Sequence, residues 1–251
     1  MTKAEIQFVR SLADKRVRDE EHLFIAEGDK LIDEILHSSL RVRSLYALEG
    51  HFVGRAETVT AKEMERISQL KTASTSLAVV EQPRHKSSAS ASPETLSLAL
   101  DGVQNPGNLG TIIRLADWFG VEDIYCSMDT ADCFNPKVVQ ATMGAILRVR
   151  VHYLPLAEFL RRSAESGVAV YGTMLDGEDI YDAELQPKGL IVMGNEGRGV
   201  SVECAASFTH RLLIPAFPPE RQGSESLNVA MATGIVCAEF RRRARGVIAS
   251  K

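Results

Sequence analysis

The chain has 251 residues, 45% hydrophobic and 25% charged, a composition that excludes a wholly disordered, collagenous or disulfide-scaffold protein and leaves room for two domains of ordinary size. Its 29 basic and 33 acidic residues give a formal charge of -4, so affinity for a polyanion must come from local patches rather than a global positive field. No stretch approaches the roughly 18 to 20 apolar residues of a membrane span, and the opening MTKAEIQFVRSLADKR lacks a secretory apolar core, so a cytoplasmic protein with no membrane partner is expected.

In chain order, Ile6, Val9 and Leu12 recur at helical spacing, a short apolar run follows at Leu23 to Ala26, and Leu31, Ile32, Ile35 and Leu36 mark another helix. Strand-like runs at Val42 to Leu48 and Leu77 to Val80 flank the helical AKEMERISQLK. Residues 1–82 therefore read as a small α/β module. Its basic points Lys15, Arg16, Arg18, Lys30, Arg41 and Arg43 lie where 14 basic residues at positions 1–95 face 15 acidic ones, and composition favours a solvated mixed-charge face over a phosphate-binding one. At 83–95, PRHKSSASASPET replaces hydrophobic periodicity with small and polar residues, which predicts a linker, with a long ordered loop as the alternative.

Residues 96–251 alternate. The strand-like LSLALDGV, DIYCSM, LRVRVHY, VAVYGTML, GLIVMG and RLLIP are interleaved with the helical TIIRLADWFG, PKVVQATMGA and LAEFLRRSAES, a short helix near Val202, and a final helix from Leu227 to about Arg245. Such alternation predicts an α/β domain whose mostly parallel sheet is covered on both faces. Cys126, Cys133, Cys204 and Cys237 form no CxxC pair, and the six histidines show no ligand spacing. Thiols outside disulfides and no metal site are expected.

Ligands of parallel sheets bind beyond the carboxyl ends of the strands, where three loops stand out. In DGVQNPGNLGTIIR, Asn105 to Asn108 read as a tight turn and Gly110 as the opening of a helix that carries Arg114. MGNEGRGV brings glycines and Glu196 to a second strand end. IPAFPPERQGSESLNVA reads as a strand end followed by a helix capped by Ser226 or a neighbour, with Asn228 in its first turn. Neither GxGxxG nor GxxxxGKS is present, which argues against the common dinucleotide and P-loop sites.

NPGNLGTIIRLADWFG, IVMGNEGRGVS and LLIPAFPPERQGSESLNVAMATGIVCAEF resemble, in order and spacing, the three motifs of the SpoU (TrmH) family of RNA 2'-O-ribose methyltransferases, over about 100 to 245. LADKRVRDEEHLFIAEGDKLIDEIL resembles the small substrate-binding domain that many members carry ahead of the catalytic one. The resemblance implies a trefoil-knotted α/β domain at 96–251, S-adenosylmethionine as methyl donor, an RNA substrate (tRNA or rRNA), and a homodimer with the active site near the subunit interface. It places Asn105, Arg114, Glu196, Ser226 and Asn228 on the catalytic side, and Gly194, Ile214 and Leu227, with Thr173, on the donor side. A guanidinium is a permanent cation, so Arg114 is expected to grip the neighbouring phosphate and stabilise a developing alkoxide rather than act as a base. Glu196 would orient Arg114, and Asn105 and Asn228 would fix the ribose, the donor loop or each other. PPERQGSE is longer than the usual third-motif connection.

The final helix is apolar over more than one face, with Leu227, Val229, Met231, Ile235, Val236 and Phe240, and the resemblance implies that it pairs two subunits. Arg241, Arg242, Arg243 and Arg245 would then reach RNA phosphates or solvate the helix end. Two other readings stand beside this one: a catalytically inactive RNA-binding protein of the same fold, and a nucleotide-dependent enzyme such as an oxidoreductase, against which the missing dinucleotide fingerprint weighs.

Overall fold

The computed structural model describes residues 1–86, 88–218 and 226–249, the side chains of 245–249 excepted. Two compact units emerge: Met1–Arg84 with Asp132–Leu147, and His85–Ala131 with the chain from Arg148 onward.

The first unit contains α1 (Lys3–Ser11), α2 (Lys15–Glu21), β1 (Leu23–Glu27), α3 (Asp29–Leu36), β2 (Val42–Ala47), β3 (Glu57–Thr58), α4 (Ala61–Ile67) and β4 (Ser76–Glu81). Thr2 and Thr60 start α1 and α4 through capping boxes with Glu5 and Glu63, each satisfying orphan N–H groups at both ends of the reciprocal pair. The sheet order is β1-β4-β2-β3, with β4 antiparallel to both neighbours. Ile6, Val9, Leu12, Ile25, Met64, Ile67 and Val79 form one core; Phe24, Ala26, Ile32, Ile35 and Val80 form another on the opposite face of the same strands. α4 stops at Ile67, short of the expected helix.

Residues 132–147 join this unit although they follow the 83–95 segment, so contact does not divide the chain at a single point. Val139 on the helix of Pro136–Thr142 is buried in the Phe24 core, and the Phe134 and Phe24 rings lie 5.0 Å apart. Arg18, 1% exposed, is held by Asp132 at 2.6 Å and by the carbonyls of Leu12 and Ala13. A buried guanidinium needs such saturation, because an unpaired charge there would cost several kcal/mol, ~3–5.

The second unit contains β5 (Leu96–Asp101), α5 (Pro106–Trp118), β6 (Asp123–Cys126), β7 (Arg150–Tyr153), α7 (Leu156–Glu165), β8 (Val170–Asp179), β9 (Gly189–Gly194), α8 (Val202–Ala205), β10 (His210–Leu213) and α9 (Val229–Ala249), α6 being the helix of Pro136–Thr142 in the first unit. Its sheet runs β10-β8-β9-β5-β6-β7, and every pairing is parallel. Five consecutive buried residues in β5 mean both faces are covered, since successive side chains point to opposite sides. Asp101 pairs with Gly194, which brings the loops after β5 and β9 to the same end. The 83–95 stretch is pinned in part: Ala91 is buried beside Leu160 and its N–H donates to Ser163 Oγ at 2.9 Å.

Candidate active site

The first loop folds differently from the expected turn. Pro106 is already helical, and Asn105 is the N-cap of α5, its Oδ1 accepting from the N–H groups of Gly107 (2.8 Å) and Asn108 (3.2 Å). Proline suits the first helical position, where its missing N–H would have no partner anyway. The cap uses the Asn105 side chain, and Asn108, one turn further in, carries the contact between loops.

Asn108 Nδ2 donates to Glu196 Oε1 at 2.7 Å, and Asn108 Oδ1 accepts from Asn228 Nδ2 at 3.0 Å. Asn228 Oδ1 in turn accepts from the N–H groups of Ala230 and Met231 and so caps α9. Three segments distant in sequence, after β5, after β9 and before α9, are thereby tied through one amide. Sequence reasoning had singled out Asn105, Glu196 and Asn228 but missed Asn108. The available signal was Asn105-Pro106 itself, an N-cap followed by a first-turn proline, which assigns the first asparagine to capping and leaves the second unassigned.

Around this network the loops are rigidly braced. Asn195 donates to the Gly102 carbonyl at 2.7 Å while its Oδ1 accepts from Gly197 and Arg198. Asp101 accepts from both the N–H and the hydroxyl of Ser201 at 2.7 Å, and Ser127 takes the Gly102 N–H at 2.8 Å. A side chain at Gly194 would stand 2.3 Å from the Gly199 carbonyl carbon, so the loop that returns from Gly199 to Val200 requires bare backbone there.

On the donor side, Thr173 on β8 is half-buried and its hydroxyl donates to the Val192 carbonyl at 3.0 Å. Ile214, just beyond β10, is half-buried, while Leu227 is exposed. Ser226 is exposed and makes no hydrogen bond among the described residues; Asn228, not Ser226, caps the last helix. Residues 219–225 of the long third-motif connection lie outside the described residues.

Arg114 is exposed and has no hydrogen bond or ion pair among the described residues. The expected Glu196–Arg114 bond is not made among the described residues; Glu196 Oε1 takes the Asn108 amide instead. Six residues at 100° each put Arg114 about 120° around α5 from Asn108, on the face that also carries Thr111 and the 83%-exposed Trp118. Burial pushes the thiol of Cys204 up to about 11 and that of Cys237 up to about 12, the behaviour of inert core cysteines rather than nucleophiles.

Three arginines of α9 serve the fold. Arg241 donates to the Phe119 and Gly120 carbonyls at the end of α5 (2.6 and 2.9 Å), where a cation complements the helix dipole. Arg243 holds the carbonyls of Ile180, Tyr181 and Ala183, and it shares buried Glu239 with Arg242. Phosphate binding by Arg241 and Arg243, one of the two expectations, would break these bonds; the side chain of Arg245 lies outside the described residues.

Residues 95–238 match the sequence model of the SpoU rRNA Methylase family, and residues 3–95 match that of the MRM3-like substrate binding domain. Over 240 residues the chain is 29% identical to the 23S rRNA (guanosine(2553)-2'-O)-methyltransferase RlmP of Bacillus subtilis, covering 92% of this chain and 94% of that one. A solved TrmH-family protein from Porphyromonas gingivalis superposes with a TM-score of 0.85 and 39% identity over 97% of this chain and 99% of that one. An AdoMet-bound rRNA methyltransferase from Sinorhizobium meliloti gives 0.83 and 31% over 97% and 96%.

Proposed function

Because this chain belongs to the SpoU rRNA methylase family, we infer that it transfers a methyl group from S-adenosylmethionine to a ribose 2'-OH of RNA, with ribosomal RNA as the substrate class. The observation that carries this reading is the Glu196–Asn108–Asn228 network, which joins the three family motifs at one end of a parallel sheet.

The residues present fit the donor. Gly194 offers backbone with no side chain, Ile214 and Leu227 offer apolar surface, and Thr173 fixes the adjoining strand, a set suited to a nearly neutral adenine and a short polar tail. When bound, the donor supplies an electrophilic methyl together with its own leaving group. Everything else falls to the chain. Asn108, anchored at both ends, holds the loops after β5 and β9 against α9, so that the ribose meets a preorganised site. Arg114, with its guanidinium uncommitted, grips the phosphate beside the target ribose bidentately and stabilises the alkoxide as the 2'-OH proton passes to that phosphate or to water. Glu196 is a positioning residue acting through Asn108, and Ser226 is available to the incoming hydroxyl or phosphate.

The same reading includes a trefoil-knotted methyltransferase region from residue 96, a substrate-binding region built on residues 1–82, a cytoplasmic location, and a homodimer. What supports the dimer is surface chemistry. α5 and α9 pack side by side, with Gly234 against Leu115; they leave Trp118 and Met231 exposed at 83% and 65%, and Leu227, just ahead of α9, is 52% exposed. Val236 and Phe240 are buried in the chain's own core, so only part of the apolar circumference of α9 is left for a partner. Pairing there would also let Arg114, which faces away from Asn108, serve the partner's network.

The test is incubation with S-adenosylmethionine and ribosomal RNA from a strain lacking the gene, followed by mapping of ribose methylation. A single new 2'-O-methyl nucleotide is expected. Donor and RNA binding without turnover would replace the enzyme with an RNA-binding protein of the same fold.

A further inference from the structure

A cleft of about 240 Å³ in the first unit is lined by Lys3, Ile6, Gln7 and Arg10 of α1 and by Arg66 of α4. Three cations converge there from two helices, and no carboxylate lines it. None of Lys3, Arg10 and Arg66 has an ion pair or side-chain hydrogen bond among the described residues.

What sets these three apart is that they line one cleft; four other basic residues of this unit are paired. Lys15 pairs with Asp19, Arg16 with Glu20 and Arg43 with Glu21, while Arg18 is buried on Asp132. Of the acids on these two helices, Glu65 is exposed and does not line the cleft, while two others are held in caps. Glu5 accepts the Thr2 N–H at 2.6 Å and Glu63 accepts that of Thr60 at 2.9 Å, each within its own capping box. The lining of the groove between the two helices is thus positive.

Resting on the methyltransferase reading above, we propose that this groove binds the phosphodiester backbone of the RNA substrate, away from the reacting ribose. Lys3 and Arg10 lie seven residues apart on one stripe of α1, a span of about 10 Å, far enough apart for the two cations to meet different phosphates of one strand. Arg66 faces them from α4, and Gln7, between the two cations, supplies an amide for a ribose hydroxyl, the group by which a protein tells RNA from DNA. Ile6, buried beneath, fixes the floor. Phosphate contacts of this kind set register and orientation without reading sequence.

The experiment measures the affinity of the full chain for a transcript of the methylated rRNA region across a series of salt concentrations. Replacing Lys3, Arg10 and Arg66 together by Gln should make the slope of log K against log salt shallower by about 2 to 3, at roughly 0.7 to 0.9 for each phosphate no longer neutralised. Donor affinity and turnover at saturating RNA should stay within twofold. The control replaces Lys15, Arg16 and Arg43 by Gln, which moves the net charge equally, from -4 to -7, and should leave the slope unchanged. Equal effects in the two variants, or an unchanged slope in the first, overturn the groove while leaving the methyltransferase standing. Displacement of RNA by inorganic phosphate at fixed ionic strength would reduce the groove to a single-anion pocket. A wild-type protein that binds donor but neither binds nor methylates ribosomal RNA overturns both proposals.

Discussion

Asn228 donates its side-chain N–H to the Asn108 carbonyl across 120 positions of sequence, and the same Asn108 donates to Glu196. Asn108→Asp would turn that donor into a second carboxylate 2.7 Å from the first, so turnover should fall at least about a hundredfold, the scale of removing one preorganised hydrogen bond, with the circular dichroism spectrum unchanged. Asn105→Ala should cost about 1 kcal/mol of stability through removal of the cap and leave turnover nearly intact. If Asn105→Ala silences the enzyme as completely, Asn105 takes part in the chemistry after all.

Arg114→Ala should keep the fold and the donor affinity, because the exposed side chain makes no hydrogen bond or ion pair among the described residues, yet lower methyl transfer about a hundredfold or more. Arg114→Lys should rescue little, since an ammonium keeps the charge without the planar fork. Calorimetry for the donor and single-turnover methylation separate these outcomes, and wild-type rates in either variant would remove Arg114 from the reaction.

Sedimentation should report about twice the 27.5 kDa chain mass at micromolar concentration. Trp118→Glu with Met231→Asp places charge on two exposed apolar positions and should yield a monomer of unchanged thermal stability with turnover reduced at least tenfold. A fully active monomer would refute a shared site.

Buried Glu239 carries the clearest acid dependence. The hydrogen bond from Arg242, opposed by burial and reinforced by Arg243, holds its carboxyl at about 2, below an unfolded value near 4.3. A folded-state value below the unfolded one contributes stability that is complete above about pH 4.5 and disappears as pH falls toward 2. Glu239→Gln should therefore destabilise by on the order of 2 kcal/mol at neutral pH and flatten the decline between pH 4.5 and 2. Denaturant midpoints at pH 7, 4 and 2.5 test this, and parallel losses in both proteins would assign the acid sensitivity elsewhere.

The buried strands were legible because apolar runs such as LFIAE, LSLALD and GLIVMG leave little else for a chain to do with them. α2 was not: KRVRDEE has no apolar stripe, and its one buried side chain is Arg18, whose partner Asp132 lies 114 residues away. The beginning of α5 was misread for a local reason, since Asn, Pro and Gly signal turns and first helical turns alike. Glu196 and Asn228 could be singled out from motif spacing, but their common partner depends on which asparagine of NPGN the cap consumes, and that is decided in three dimensions. The assignment of 132–147 to the first unit likewise follows from Phe134 and Val139 meeting Phe24, a pairing without any periodic trace.

That inserted segment dictates an order of events during synthesis. The face of β1 bearing Phe24 and Ala26 emerges early and α3 follows at once, but α6, which also packs on it, belongs to a segment that ends at Leu147, some 60 residues after Arg84. At about 5 to 20 residues per second, the nascent first unit waits roughly 3 to 12 s with that apolar face only partly covered while β5, α5 and β6 are being made. Translation therefore interleaves the two units, and the N-terminal one reaches its native packing only after part of its successor has left the ribosome.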